Sequence, residues 1–242
     1  MKVCAIYFSP TGSTEKTVKI VAKEFGEYQE FDLSKRENHV PQSFTQDDIC
    51  VIGVPSYGGR VPAVVLERMN DYQGNNAKAV LVVSYGNRAY DDTLRELAEF
   101  VESKGFCCVA AIAAVAEHSI MHQFATGRPD ESDEKELAQF GRKILEKINS
   151  GAACEKLNVP GNFPYREYNG VPLKPKAGRK CTSCGLCASM CPVGAIPSEN
   201  PKKTNKDLCI SCMRCIDICP NNARKVNSLM VKVASKKVTT SG

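Results

Sequence analysis

Apolar and polar positions in the first 150 residues alternate between two rhythms. Five short runs read as strands, at Val3–Phe8, Tyr28–Leu33, Ile49–Val54, Ala79–Ser84 and Cys107–Ala114. Those around positions 50, 80 and 110 are almost continuously apolar, as strands of a parallel sheet covered on both faces are. Helical patterns fall between them, near Ser13–Phe25, Pro62–Asn70 and Tyr90–Ser103, with a last one near Ser132–Asn149. In that last segment Leu137, Phe140, Ile144 and Ile148 recur at three- and four-residue steps and form one apolar stripe. Strands and helices in strict alternation predict an α/β domain, a parallel sheet wrapped by helices.

The pattern breaks after Gly151. Pro160, Gly161, Pro164, Pro172, Pro175 and Gly178 cannot continue a helix or a central strand. The expected organisation is therefore a domain over 1–150, a connector over 151–173, a small domain over 174–225 and a basic tail over 226–242. Phe163, Tyr165 and Tyr168 suggest that the connector packs on a domain, and the tail reads equally as strand, helix or frayed end.

Composition adds two facts. No apolar run is long enough to cross a bilayer, and Met1–Pro10 reads as a strand rather than an export signal, so a cytoplasmic location is expected. The net charge of +5 conceals a division. From Lys174 to the end there are 13 Lys and Arg against 3 Asp and Glu, a net of +10, and the preceding residues hold 19 against 24, a net of −5.

Thirteen cysteines point to metal ligation rather than disulfides in a reducing compartment. Cys4, Cys50, Cys107 and Cys108 lie in apolar runs and read as small buried hydrophobes, while Cys154, in the polar connector, is open. The other eight form a tandem repeat, Cys181-x-x-Cys184-x-x-Cys187-x-x-x-Cys191-Pro192 and Cys209-x-x-Cys212-x-x-Cys215-x-x-x-Cys219-Pro220. In each copy three thiolates converge on one cubane and the fourth points to the neighbouring one. A pair of zinc knuckles is the alternative, although zinc sites commonly separate two-cysteine pairs by a longer loop. Over about fifty residues, Pro175 to roughly Lys225, the run resembles the bacterial two-cluster ferredoxins. That resemblance implies one 4Fe–4S cluster on Cys181, Cys184, Cys187 and Cys219, and a second on Cys209, Cys212, Cys215 and Cys191.

Three loops on the large domain carry further chemistry. Ser9-Pro10-Thr11-Gly12-Ser13-Thr14 follows the first strand and opens a helix, which supplies hydroxyls and backbone N–H groups to a phosphate; a plain capped turn is the alternative. Pro55-Ser56-Tyr57-Gly58-Gly59 follows the third strand, and Ser84-Tyr85-Gly86-Asn87-Arg88-Ala89-Tyr90 the end of the fourth. Each offers an aromatic ring and glycines that let the backbone approach a flat heterocycle. Together the loops resemble flavodoxin, which implies strand order 2-1-3-4-5 and FMN where that order reverses. Nearly the whole chain resembles the flavodoxin–ferredoxin fusion proteins. On that resemblance Ser9, Thr11, Gly12, Ser13 and Thr14 hold the FMN phosphate, Tyr57 and Tyr85 or Tyr90 flank the ring, and Pro55, Ser56, Gly58, Gly59, Ser84, Gly86, Asn87 and Arg88 complete the site. One departure is the absence of tryptophan, which many flavodoxins place on one ring face. That face is left to tyrosine or to the ferredoxin domain. His118, just after the fifth strand, reads as a proton donor near the ring or as a packing residue.

The expected function is electron transfer between FMN, two 4Fe–4S clusters and external redox proteins. Reduction of a small acceptor at an FMN fed by the clusters is the second reading. Direct use of a nicotinamide cofactor lacks its Gly-x-Gly-x-x-Gly fingerprint, and nucleic-acid binding lacks any recognisable reading motif despite the basic half. The charge division predicts that the basic half docks on the acidic one, in the same chain or in a homodimer.

Overall fold

The computed structural model describes residues 1–36, 39–151 and 154–240. Five strands, β1 (Val3–Tyr7), β2 (Tyr28–Asp32), β3 (Ile49–Pro55), β4 (Lys78–Tyr85) and β5 (Cys107–Val115), form one parallel sheet in the order β2-β1-β3-β4-β5. This is the flavodoxin-like sheet, and its strand order reverses at β1, between β1 and β3.

Side-chain alternation along the strands sorts the core into two layers. Ile6, Phe8, Cys50, Ile52, Leu81 and Val83 face α2 (Ala63–Arg68) and α3 (Thr93–Ser103), where Val65, Leu97 and Val101 meet them. Ala5, Tyr7, Val51, Val80 and Val82 face α1 (Ser13–Lys23) and α4 (Glu131–Asn149), against Val18, Val21, Leu137 and Ile144. Both faces are covered, which is why these strands read as continuous apolar runs. A capping box at Asp130 and Asp133 starts α4.

The connector runs back over the large domain. The buried Asp92 carboxylate accepts hydrogen bonds from the backbone N–H groups of Asn162 and Arg166, both at 2.7 Å. Arg166 also pairs with Asp91 at 2.6 Å, and the Arg60 guanidinium lies 5.0 Å from the Tyr165 ring. Cys107, expected as a buried hydrophobe alone, is buried but bonded to Cys154, with their Cα atoms 5.7 Å apart. The local apolar run around Cys107 gives no hint of a partner 47 residues away.

The C-terminal part is cysteine-rich and ferredoxin-like. It contains a two-stranded antiparallel ribbon, β6 (Lys176–Ala177) with β7 (Arg224–Lys225), and two short helices, α5 (Leu186–Ser189) and α6 (Arg214–Asp217). The tail forms α7 (Ser228–Thr240).

The two parts meet, but not through the expected charges. Val193 and Ile210 pack on the large domain's core, and the guanidinium of Arg68 donates to the carbonyls of Leu33 and Pro192. Among the described residues Lys174, Lys176, Arg179, Lys180, Lys202, Lys203 and Lys206 form no ion pair, and all but Lys174 are exposed. Apolar contact and arginine-to-carbonyl hydrogen bonds make this interface, which a count of charges could not anticipate. No described helix is long and apolar enough to cross a membrane.

Candidate functional site

The largest convergence of chemistry lies at the carboxyl ends of β1, β3, β4 and β5, where ligands bind in open parallel sheets. A cavity of about 430 Å³ opens there, within the size range of small-molecule sites. Of the residues selected from sequence, Ser9, Thr11, Ser13, Thr14, Pro55, Ser56, Tyr57, Gly58, Gly59, Ser84, Tyr85, Gly86 and Arg88 line it. Gly12, Asn87 and Tyr90 are absent from its wall; Tyr90 packs edge-on against Tyr85, with ring centroids 5.2 Å apart.

At one end of the cavity α1 begins without a side-chain cap. Gly12 sits left-handed at φ 86°, which glycine adopts at little cost and which turns the chain into the helix. Ser9 Oγ accepts the Glu15 N–H at 2.9 Å, and Thr14 Oγ1 lies 2.5 Å from Ser84 Oγ, joining the loop to β4. An uncapped helix N-terminus flanked by Thr11 and Ser13 has the donor set and the dipole polarity of a phosphate cradle.

At the other end, Tyr57-Gly58-Gly59-Arg60 forms a turn closed by reciprocal backbone hydrogen bonds of 3.0 and 3.2 Å between Tyr57 and Arg60. Gly58 and Gly59 have φ of 60° and 83°, the signature of a type I′ turn. Burial pushes the Tyr57 phenol well above its ordinary pKa, assisted by the nearby Cys212 thiol. His118 also lines the cavity, its ring so close to Gly86 that an added Cβ would lie 2.6 Å from it. Its Nδ1 accepts the backbone N–H groups of Ile120 (3.1 Å) and Met121 (3.3 Å), which assigns the ring proton to Nε2. Burial holds its pKa below the usual histidine value.

Part of the remaining wall comes from outside the large domain, and its individual residues were not selected from the sequence. Arg166 and Tyr168 come from the connector, Val171 and Leu173 from its end, Ile210 and Ser211 from between Cys209 and Cys212, and Ala234 from α7. The Tyr168 ring covers Gly58, where a Cβ would fall 2.2 Å from it. Apart from Ala234 on α7, these residues belong to separate, irregular segments, and among them the aromatic content of the connector marked Tyr168.

The eight repeat cysteines line two small cavities, four in each. Cys191, Cys209, Cys212 and Cys215 line an inner one that shares Ile210 with the main cavity. Cys181, Cys184, Cys187 and Cys219 line an outer one. The repeat is visible in the backbone as well. Ser183 and Ser211 are both left-handed, as are Gly185 and Met213, and Ala195 N–H and Ala223 N–H donate to the sulfurs of Cys191 (3.2 Å) and Cys219 (3.3 Å). Among the described residues no three His, Cys, Asp or Glu side chains converge closely enough for a single metal ion, as tetrahedral zinc at about 2.3 Å from each sulfur requires. Four thiols lining one cavity, repeated in a second, are the donor set of a cubane.

Two further observations bear on that fit. Arg214 Nε, beside the inner cavity, is buried and has no hydrogen-bond partner among the described residues. Arg224, 1% exposed, donates from Nε to Cys187 Sγ at 3.3 Å. Burial pushes the Cys212 and Cys215 thiols up to about 12, so their thiolate forms call for a positive partner such as iron.

Comparison with known proteins decides the family. A flavodoxin family model matches residues 6–139, and a 4Fe-4S dicluster domain model matches residues 180–224. The chain belongs to the flavodoxin family. With its second match it is a flavodoxin–ferredoxin fusion, and the two domains support an electron-transfer role based on FMN and 4Fe–4S chemistry. No curated protein matches it. Among solved structures it is similar to the rubredoxin oxygen:oxidoreductase of the anaerobe Desulfovibrio gigas, at 17% identity and TM-score 0.44, over 62% of this chain and 36% of that one. The chain thus spans about a third of that protein. It is also similar to general stress protein 14 of Treponema denticola, solved in complex with FMN, at 14% identity and TM-score 0.37, over 62% of this chain and 99% of that one.

Proposed function

We propose that this flavodoxin–ferredoxin fusion moves electrons along one internal line, from an outer 4Fe–4S cluster through an inner one to FMN or in reverse, and exchanges them with external redox proteins. The observation that carries the reading is the position of Ile210, which lines both the main cavity and the inner thiol cavity. The loop between two cluster cysteines is thereby a wall of the flavin site. Cys187 on α5 and Cys215 on α6 share one small apolar cluster, which brings the two thiol sets together in turn. FMN supplies a centre that accepts one or two electrons, where a cluster passes one at a time.

In this reading the uncapped start of α1, with Ser9, Thr11, Gly12, Ser13 and Thr14, holds the phosphate. Tyr57 and Tyr85 bound the ring, and Tyr168, Ile210 and Ser211 cover the side that tryptophan covers in many flavodoxins. The Nε2 proton of His118 is available to the ring's polar edge. The outer cluster takes Cys181, Cys184, Cys187 and Cys219, and the inner one Cys191, Cys209, Cys212 and Cys215. Reduction of a small acceptor at the flavin gains less support, because connector and ferredoxin-loop side chains occupy that side of the cavity.

The test is anaerobic. The reconstituted protein should contain two clusters of four irons and one FMN per chain, and a one-electron donor should reduce the flavin through the clusters. Cys212→Ser, with flavin retained and inner-cluster iron lost, should slow flavin reduction at least about tenfold, roughly 1.4 kcal/mol in the barrier. Flavin reduction at an unchanged rate would reject the internal line.

A further inference from the structure

A second large cleft, about 840 Å³, lies between the end of the connector, β6, β7 and the start of α7, and shares Leu173 with the main cavity. Six cations line it, Lys174, Lys176, Arg179, Lys180, Lys206 and Lys225, against one acid, Asp207. None of the six forms an ion pair among the described residues, and Lys176, Arg179, Lys180, Lys206 and Lys225 are exposed. Like charges gathered within a Debye length of about 8–10 Å repel one another, so an opposite charge in the cleft is favoured.

The cleft adjoins the outer thiol set. Ala223 lines both cavities, and its carbonyl accepts the Gly178 N–H at 2.7 Å, which fixes the cleft floor to the segment after Cys219. On the same thiol cavity Cys184 is exposed and Leu186 is 41% exposed, whereas Cys191 and Cys212 of the inner set are buried. Met230, 40% exposed, gives the cleft an apolar margin. No aromatic residue lines it, so it lacks the stacking platform by which single-stranded nucleic acid is held.

We propose that this cleft is the docking surface for an acidic one-electron carrier protein, which it seats against the Cys181, Cys184, Cys187 and Cys219 cluster. The inference rests on the two-cluster reading above and adds where the external partner binds and what charge it bears. One electron leaves the reduced carrier and enters the outer cluster, or returns, and no bond forms or breaks.

The test is calorimetric titration of the cluster-loaded protein with an acidic two-cluster ferredoxin as probe, at about 50 and 200 mM salt. The affinity should fall at least about tenfold over that range, and at least about tenfold at low salt in the K176E/R179E/K206E variant. The K202E/K203E variant, whose changes are exposed and outside the cleft, should stay within about twofold of the parent. Iron content measured on every sample separates the two readings: absent iron in the parent removes the cluster assignment, while full iron with carrier affinity unchanged by the triple reversal or by salt overturns the docking surface. The salt titration needs no variant and stands if the triple reversal fails to fold. Tighter binding of a DNA duplex than of the ferredoxin, or a dimer of the parent that the triple reversal dissociates, would assign the cleft to another occupant and equally overturn the proposal.

Discussion

Removal of the Arg224 charge should lower the reduction potential of the outer cluster. The guanidinium is buried and donates from Nε to Cys187 Sγ at 3.3 Å, while its other nitrogens donate to Thr204 Oγ1 (3.0 Å), Pro201 O (2.7 Å) and Lys203 O (3.1 Å). A reduced cluster carries one more negative charge than an oxidised one, so a fixed cation beside it favours the reduced form. For two unit charges about 7 Å apart at an effective dielectric of about 20, the interaction would be about 2.4 kcal/mol. For one electron that corresponds to about 100 mV. Arg224→Gln keeps a donor at the site and removes the charge. Anaerobic potentiometric titration followed by paramagnetic resonance should show one cluster shifted negative by roughly 100 mV and the other by less. A full complement of iron with both potentials unchanged, or an upward shift, would refute this account of the buried charge.

Asp92→Ala removes the acceptor of three hydrogen bonds that tie the connector down and should destabilise the protein by about 2–3 kcal/mol, read as a lower denaturant midpoint. Burial alone would raise that carboxyl, but the bonds from Arg166 and Asn162 hold it below its usual value, so the stabilisation is present above about pH 4 and fades as pH falls through the depressed value. Burial depresses His118 in the opposite sense: between its lowered folded pKa and the ordinary value of about 6.5 the unfolded chain binds the extra proton, so stability should rise with pH across that window and the rise should flatten in His118→Asn. Gly58→Val places a branched side chain at φ 60° and against the Tyr168 ring, and FMN affinity, measured by fluorescence quenching, should fall at least about tenfold.

How much of this was legible in the sequence follows from where each signal is stored. The inner strands β1, β3 and β4 were readable because burial on both faces imposes a local apolar run, whereas the half-exposed edge strand β2 carries no such run; each observed strand lies within two residues of its expected limits. The spacing within each repeat groups three cysteines on one loop, while the exchange of the fourth is an implication of the resemblance; the two thiol cavities are lined by four of the eight each. Tyr168 was marked only as one of the connector's aromatics, without a partner, and Ile210 carried no signal. Their partners in the large domain lie more than 100 residues away, across an irregular connector. Arg224 entered the sequence reading only through the net charge of the basic half, yet it is fully buried, since composition registers charge but not whether a guanidinium finds carbonyls and a sulfur to enclose it. The connector's Cys154 was undecided for the same reason.

The interface within the chain and the basic cleft have opposite electrostatic character, and the proposed electron path crosses both. Inside, apolar packing of Val193 and Ile210 and hydrogen bonds from Arg68 to carbonyls set the spacing between flavin and inner cluster, and such contacts respond little to salt. The connector fixes that spacing further by its attachment at Asp92, so the internal partners need no encounter at all. Outside, the partner must be found by diffusion, and cations that form no ion pair among the described residues, in a cleft that shares Ala223 with the thiol cavity of the exposed Cys184, are suited to attracting and orienting an acidic one. Ionic strength should therefore divide the overall process in two, slowing the bimolecular arrival of an electron at the outer cluster while leaving its passage to the flavin unchanged.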